Sequence, residues 1–351
     1  MRKIILFIIL CLPSAGPVSA SEAFFPLCWY GVRSGRDIES IKKAGYNCFC
    51  TPEKDPEKLS ELAVKAGKDK MLMVASPYEV MKSTFSEQSK DWPVLAWTVY
   101  GEDESEKLSA EKLEKSEKEI KKWDKRPEAI LYGNGEEAMK YAPRYGDYTM
   151  LAWFPVPQLR MSTLGLNLAQ ASAASSLDRQ RPGKKTLAVL QAFDWNAVPG
   201  IKKTETGHFP DFQELRTMFY LALTRGARGI LFYTLASPDG PLYENPVKWD
   251  CFEQIAYEIN SVSEYFAAGS LKRAGLTGNN EISENILKSK GRKFLIIINL
   301  TEKEQKIQLD VLKRWRPLFE SSRYPDSIFK SAGGLFYLPP DRTLILEKRK
   351  F

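Results

Sequence analysis

The chain has 351 residues, with 51 Lys+Arg against 44 Asp+Glu, 43% apolar residues and 12% aromatics. That balance excludes a disordered, collagenous or low-complexity protein, and the length leaves room for one domain of roughly 250 residues plus a smaller one. The net charge is +7, or +5 once Arg2 and Lys3 of a leader are set aside. The charges are mixed and form no basic block, which argues against nucleic acid as a partner.

Residues 1–20 run Met-Arg-Lys, an apolar stretch from Ile4 to Leu12, then Pro13 through Val18-Ser19-Ala20. This is the order of a secretory signal, with cleavage expected after Ala20. Nine apolar residues fall short of the ~20 that span a bilayer, so no stable membrane insertion is expected after cleavage. Leu10 directly before Cys11 argues against a lipoprotein site. The expected location is outside the cytoplasm: periplasm, cell surface or medium.

The mature chain keeps Cys28, Cys48, Cys50 and Cys251, too few for a disulfide scaffold. Cys48 and Cys50 share one face of a strand, where they read as small buried hydrophobes, with metal ligation or thiol pairing as the other uses of that spacing.

From Phe24 to Gly269 one rhythm repeats: an apolar run, a polar turn, then an amphipathic stretch ending near Gly or Pro. The runs read as strands are Phe25–Gly31, Tyr46–Cys50, Met71–Ala75, Val94–Tyr100, Ala129–Tyr132, Tyr148–Phe154, Thr186–Phe193 and Gly229–Leu235. Helical patterns lie between them, at Asp37–Ala44, Pro56–Ala66, Ala110–Trp123, Phe212–Arg225 and Trp249–Phe266. Eight βα units predict a (β/α)8 TIM barrel over 21–269. After Gly269 the pattern changes to Phe294–Leu300, Gln305–Val311, Leu335–Leu338 and Thr343–Glu347, which predicts a small antiparallel, sandwich-like β domain over 270–351. Asn299-Leu300-Thr301 matches a glycosylation acceptor at a strand end.

Barrel sites lie at the carboxyl ends of the strands. The fourth run ends Trp97-Thr98-Val99-Tyr100-Gly101-Glu102-Asp103-Glu104, three consecutive carboxylates at the expected mouth. Crowded carboxylates raise one another's proton affinity, as an acid that protonates a leaving group requires. Tyr30, Tyr100, Tyr132, Trp153, Trp195 and Tyr233 fall at other strand ends, and such rings stack on the C–H faces of sugars. Glu214 reads as a helix cap or salt-bridge partner. His208 is the only histidine, no Gly-x-Ser-x-Gly elbow is present, and neither metal nor cofactor is expected.

The fourth strand end resembles that of the clan-A glycoside hydrolases, (β/α)8 enzymes in which this strand closes with Asn-Glu or Asp-Glu, often before Pro. A Trp-x-x-x-Asp-Glu-Pro version aligns Trp97 with the Trp and Glu102 with the acid/base Glu. A slip of one or two residues selects Glu104 instead. Here Gly101 replaces Asp or Asn, and Asp103 replaces Pro. Arg126-Pro127, Trp153-Phe154-Pro155, Leu190-Gln191-Ala192-Phe193 and Phe232-Tyr233 extend the resemblance in order along the barrel. It implies a carbohydrate substrate and a second carboxylate at about 5 Å for retention or roughly 6.5–9.5 Å for inversion. In the family that group is a Glu ending strand seven; this chain has Gln191 there, and Asp194 is the nearest acid. The expectation is an exported glycoside hydrolase using Glu102 or Glu104 with Asp194, and with Gln191 and the rim aromatics binding sugar. The alternatives are a catalytically inactive polysaccharide-binding or envelope protein on the same barrel, or an enzyme of other chemistry.

Overall fold

The computed structural model describes residues 24–99, 108–275, 279, 281–308, 315–319, 331–332 and 335–348. The leader read over 1–20 lies outside them. Eight parallel strands close a barrel in sequential order: β1 Leu27–Tyr30, β2 Cys48–Cys50, β3 Leu72–Ala75, β4 Val94–Thr98, β5 Glu128–Tyr132, β6 Tyr148–Ala152, β7 Lys185–Gln191 and β8 Ile230–Tyr233. Around them lie α1 Gly35–Lys43, α2 Pro56–Asp69, α3 Tyr78–Lys82, α4 Ala110–Trp123, α5 Gly135–Tyr141, α6 Met161–Ser176, α7 Phe212–Thr224 and α8 Pro246–Ala268. The barrel expected from the eight apolar runs is therefore the fold. No helix among the described residues is long and apolar enough to cross a membrane.

Local chemistry starts these helices where the turns require it. Ser34 and Asp37 form a reciprocal capping box for α1, and Asp211 and Glu214 do the same for α7. Asn134 caps α5, so Gly133-Asn134-Gly135 is a helix start. Asp55 and Asn245 each precede a proline in the first turn of α2 and α8.

Strand alternation divides the core in two. One set of positions faces the axis, among them Cys28, Cys48, Val74, Ala129, Met150 and Leu231. The other set, including Trp29, Trp97, Ile130, Tyr132, Leu190 and Phe232, packs under the helices. Cys28 and Cys48 are register partners on neighbouring strands and form a disulfide inside the barrel. The reading of Cys48 as an unpaired small hydrophobe is corrected, and Cys50 is a free, buried thiol.

The segment after α8 builds two antiparallel sheets. Short strands β9 Ala236–Ser237 and β10 Gly240–Pro241 form a hairpin before α8, and β11 Ser270–Arg273 follows it. The remaining strands are β12 Ile282–Ser289, β13 Arg292–Asn299, β14 Gln305–Gln308, β15 Trp315–Pro317, β16 Ser331–Ala332, β17 Leu335–Leu338 and β18 Arg342–Lys348. One sheet runs β11-β12-β13-β18-β15 and the other β14-β17-β16. The five-stranded sheet sets Leu287, Phe294, Ile296 and Ile298 against the barrel's outer core, while Leu295, Ile297 and Leu344 meet Ile307 and Leu338 of the smaller sheet. Buried Arg216 of α7 ties the bodies together by pairing with Glu258 at 2.8 Å and donating to the Thr343 carbonyl at 3.0 Å. The amide of Asn299 is buried and donates to the carbonyls of Lys303 and Leu338, so this acceptor pattern is closed to glycosylation in the folded chain.

Under the outer layer, Glu128 is fully buried with neither carboxylate oxygen hydrogen-bonded among the described residues. The surrounding charges satisfy each other instead, Lys121 with Asp147 at 2.8 Å and Arg181 with Glu117 at 3.1 Å. Burial pushes the Glu128 carboxyl up to about 8, with Lys121 pulling the other way.

Two outcomes follow from these groups. In the chain denatured without reductant, Cys50 and Cys251 are expected to react with a thiol reagent while Cys28 and Cys48 do not; labelling of Cys28 and Cys48 would contradict their pairing. Closing a loop of this size stabilises by about 3 kcal/mol, so reduction is expected to lower Tm. For Glu128, the folded chain holds a proton that the unfolded chain releases near pH ~4.3, so stability falls as pH rises from there to about 8. Glu128→Gln cannot ionise, and its Tm advantage over the wild type is expected to widen between about pH 5 and about pH 9. A gap independent of pH would contradict the buried-acid reading.

Candidate active site

The carboxyl ends of the strands are anchored differently on the two sides of the mouth. On the β4 side, the Trp97 indole points outward and donates to Asp124 at 2.8 Å. Arg126 lies over the Trp97 ring and binds the Asp124 carboxylate and the carbonyls of Trp92 and Ser89. Burial alone would raise the Asp124 carboxyl, but Arg126 and Trp97 outweigh it and hold it below its ordinary range. The Tyr78 hydroxyl on α3 donates to the Val99 carbonyl, fixing the point where the chain leaves β4. Trp97 thus anchors the strand end from behind.

Tyr100, Glu102 and Glu104 lie outside the described residues. The inward positions nearest their strand carry Thr98, Leu131 and Ala152. Leu131 is 45% exposed although its strand phase points it toward the axis.

The other side is aromatic. Tyr233 stacks on Tyr30 with centroids 4.8 Å apart and on Phe154 at 5.5 Å. Phe193 meets Phe154 edge-on at 5.1 Å and Trp195 at 4.9 Å. All five rings are half-buried. The Tyr30 hydroxyl and the Trp195 indole N–H are shielded from solvent with no hydrogen-bond partner among the described residues. Polar groups in that state carry an unmet desolvation cost that a ligand hydroxyl can relieve. Three rings of the sequence reading, Tyr30, Trp195 and Tyr233, come together here. Phe154 and Phe193 were missed, although continuing the two-residue alternation of β6 and β7 past their ends points both inward.

Three other candidates sit elsewhere. Tyr132 is fully buried in the outer layer, because it lies an odd number of residues from inward-facing Ala129. Trp153 also packs on the outer layer, and its indole donates to the Thr163 hydroxyl at 2.9 Å. Gln191 does point inward, but its amide is consumed: the carbonyl accepts from Val156 N at 2.9 Å, and the NH2 donates to the carbonyls of Val156 and Phe193 at 2.7 and 3.0 Å. It clamps the loop after β6 to the end of β7. Tyr132 and Trp153 therefore stand on the outer layer, away from the ring cluster, and the Gln191 amide is already bonded.

Asp194 is half-buried beside Trp195 and caps the short helical turn Trp195–Ala197, with Oδ1 accepting from Asn196 N at 2.8 Å. Its Oδ2 has no hydrogen bond among the described residues, so one oxygen is available. Glu53, just past β2, accepts from Lys54 N and Asp55 N through Oε1, and its Oε2 lies 3.8 Å from Lys58. Glu214 is the anticipated cap, accepting from Asp211 N and pairing with His208 at 3.0 Å. Among the described residues no cluster of His, Cys, Asp and Glu is arranged to hold a metal ion.

No family model matches this sequence, and no curated protein matches it. Solved structures do match the fold. The chain is similar to Amy13B of Eubacterium rectale, with TM-score 0.60 and 10% identity over 93% of this chain and 96% of that one. It is similar to a family 39 glycoside hydrolase of Bacteroides cellulosilyticus, with TM-score 0.60 and 10% identity over 93% and 82%. A family 5 glycoside hydrolase of Bacteroides vulgatus gives TM-score 0.61 and 13% identity over 92% and 88%. The likeness spans several glycoside hydrolase families at low identity. It shows the fold, a closed (β/α)8 barrel with a trailing β domain.

Proposed function

We propose that this protein is an exported glycoside hydrolase that acts on an oligo- or polysaccharide at the mouth of its barrel. The observation that carries the reading is the five-ring cluster around Tyr233, with the Tyr30 hydroxyl and Trp195 N–H unpartnered among the described residues at the strand ends. Apolar ring faces beside unmet donors match a sugar's alternation of C–H faces and hydroxyls. Glu102 is the proposed general acid/base, with Glu104 next in line, and Asp194 the proposed second carboxylate through Oδ2. In this mechanism the acid protonates the glycosidic oxygen, while Asp194 either attacks the anomeric carbon or activates water. The intrachain disulfide supports export, since such bonds persist in oxidising compartments.

A second reading is a polysaccharide-binding protein that does not cut. One observation favours it: the strand-seven end carries Gln191, locked into a loop clamp, where a carboxylate nucleophile would stand.

Release of reducing ends from a polysaccharide panel, paired with calorimetric binding, separates the two. The hydrolase reading predicts turnover by the wild type, a loss of at least about 100-fold in Glu102→Gln with binding kept, and weakened binding in Trp195→Ala. Binding without turnover by the wild type would establish the second reading. Full turnover in Glu102→Gln would transfer the acid role to Glu104, tested by the same substitution there.

A further inference from the structure

At the end of the barrel opposite the mouth, the turn from α7 into β8 packs toward the five-stranded sheet. A cavity of about 390 Å3 lies there, walled by Leu223, Phe266, Leu271 and Leu287, with Arg225 and Arg228 as its charged lining. That volume falls within the range of small-molecule sites, about 300–1,000 Å3.

The two arginines are half-buried and have no counter-charge in ion-pair contact among the described residues. Arg225 reaches Ser283 Oγ at 3.4 Å, and Arg228 donates to the neighbouring Ala227 carbonyl at 3.1 Å. Neither forms an ion pair among the described residues. Strand parity explains this. Leu287 of β12 packs on the barrel side, so Ser283, Asn285 and Ser289 share that face, and the acidic residue of the strand, Glu284, alternates to the other. Arg273 of β11 is the register partner of Asn285 and brings a third positive charge near Arg225. Burial lowers both Arg225 and Arg228 from their ordinary values, and Arg273 adds to the effect at Arg225. Guanidinium groups withdrawn from water without an anion carry a cost that a bound oxyanion would offset through charge-assisted hydrogen bonds.

We propose that this cavity is a binding site, separate from the barrel mouth, for a small ligand bearing a sulfate or phosphate group, with Arg225 and Arg228 as its ionic partners. Apolar walls around a cationic lining suit a compact oxyanion attached to a body of about one sugar ring. The site does not depend on the catalytic reading, because it shares no residue with the mouth.

The test is isothermal titration of the full chain with inorganic sulfate, inorganic phosphate, a monosaccharide sulfate and a monosaccharide phosphate, in chloride buffer of matched ionic strength. The expected result is saturable binding of at least one probe, weakened at least about tenfold in Arg225→Gln and in Arg228→Gln. A sugar ester that binds more tightly than its inorganic ion identifies an esterified ligand; equal affinities identify the free ion. The absence of saturable binding, or equal affinity in wild type and variants, overturns the proposal. Phenylglyoxal modification of the wild type, mapped by mass spectrometry, covers the case in which a variant fails to fold. The bound probe is expected to shield Arg225 and Arg228 while exposed Arg179 reacts freely, and uniform reactivity overturns the proposal as well.

Discussion

Closing eight parallel strands into a ring imposes one constraint on every residue they carry: alternate side chains face the axis or the helices, with no third option. That parity decides where chemistry can occur. Tyr30, Tyr233 and Phe154 share the inward phase and meet at the mouth, while Tyr132, at the end of a neighbouring strand, is turned into the outer core. The same rule sets Cys28 opposite Cys48 inside the barrel and places Glu128 where no water reaches it.

The mouth is asymmetric as a consequence. Between β6 and β1 it is filled by mutually packed rings, held up by the Gln191 clamp on the loop after β6. Near β4 and β5 the described inward positions carry small or aliphatic side chains, and the strand end is pinned from outside by Trp97, Asp124, Arg126 and Tyr78. A wall of rings on one side of the mouth suits a ligand laid flat against them. The Gln191 amide ties the loop after β6 to the end of β7.

Much of the fold was legible because its signals are local. Each apolar run corresponds to one strand, and Asp, Ser and Asn caps mark helix starts where the turns need them. The site was legible only in part, because strand ends show in the sequence while strand phase depends on register. Tyr132 ends an apolar run as Tyr233 does, and only pairing with β6 reveals that its ring faces outward. The Gln191 amide is occupied by a segment 35 residues earlier in the chain, a contact without local trace. The disulfide joins residues 20 apart, and their adjacency needs both neighbouring strands and a shared phase. Phe154 and Phe193 were within reach, since alternation continues past the formal strand ends.

The account rests on the ring cluster being the surface that meets sugar. Hydrogen exchange of the full chain, with and without a saccharide that it binds, tests this most directly. The account predicts slowed exchange at the ends of β1, β7 and β8 and through residues 193–198, with the two C-terminal sheets unchanged. Protection confined to those sheets, or to the outer helices, would contradict it.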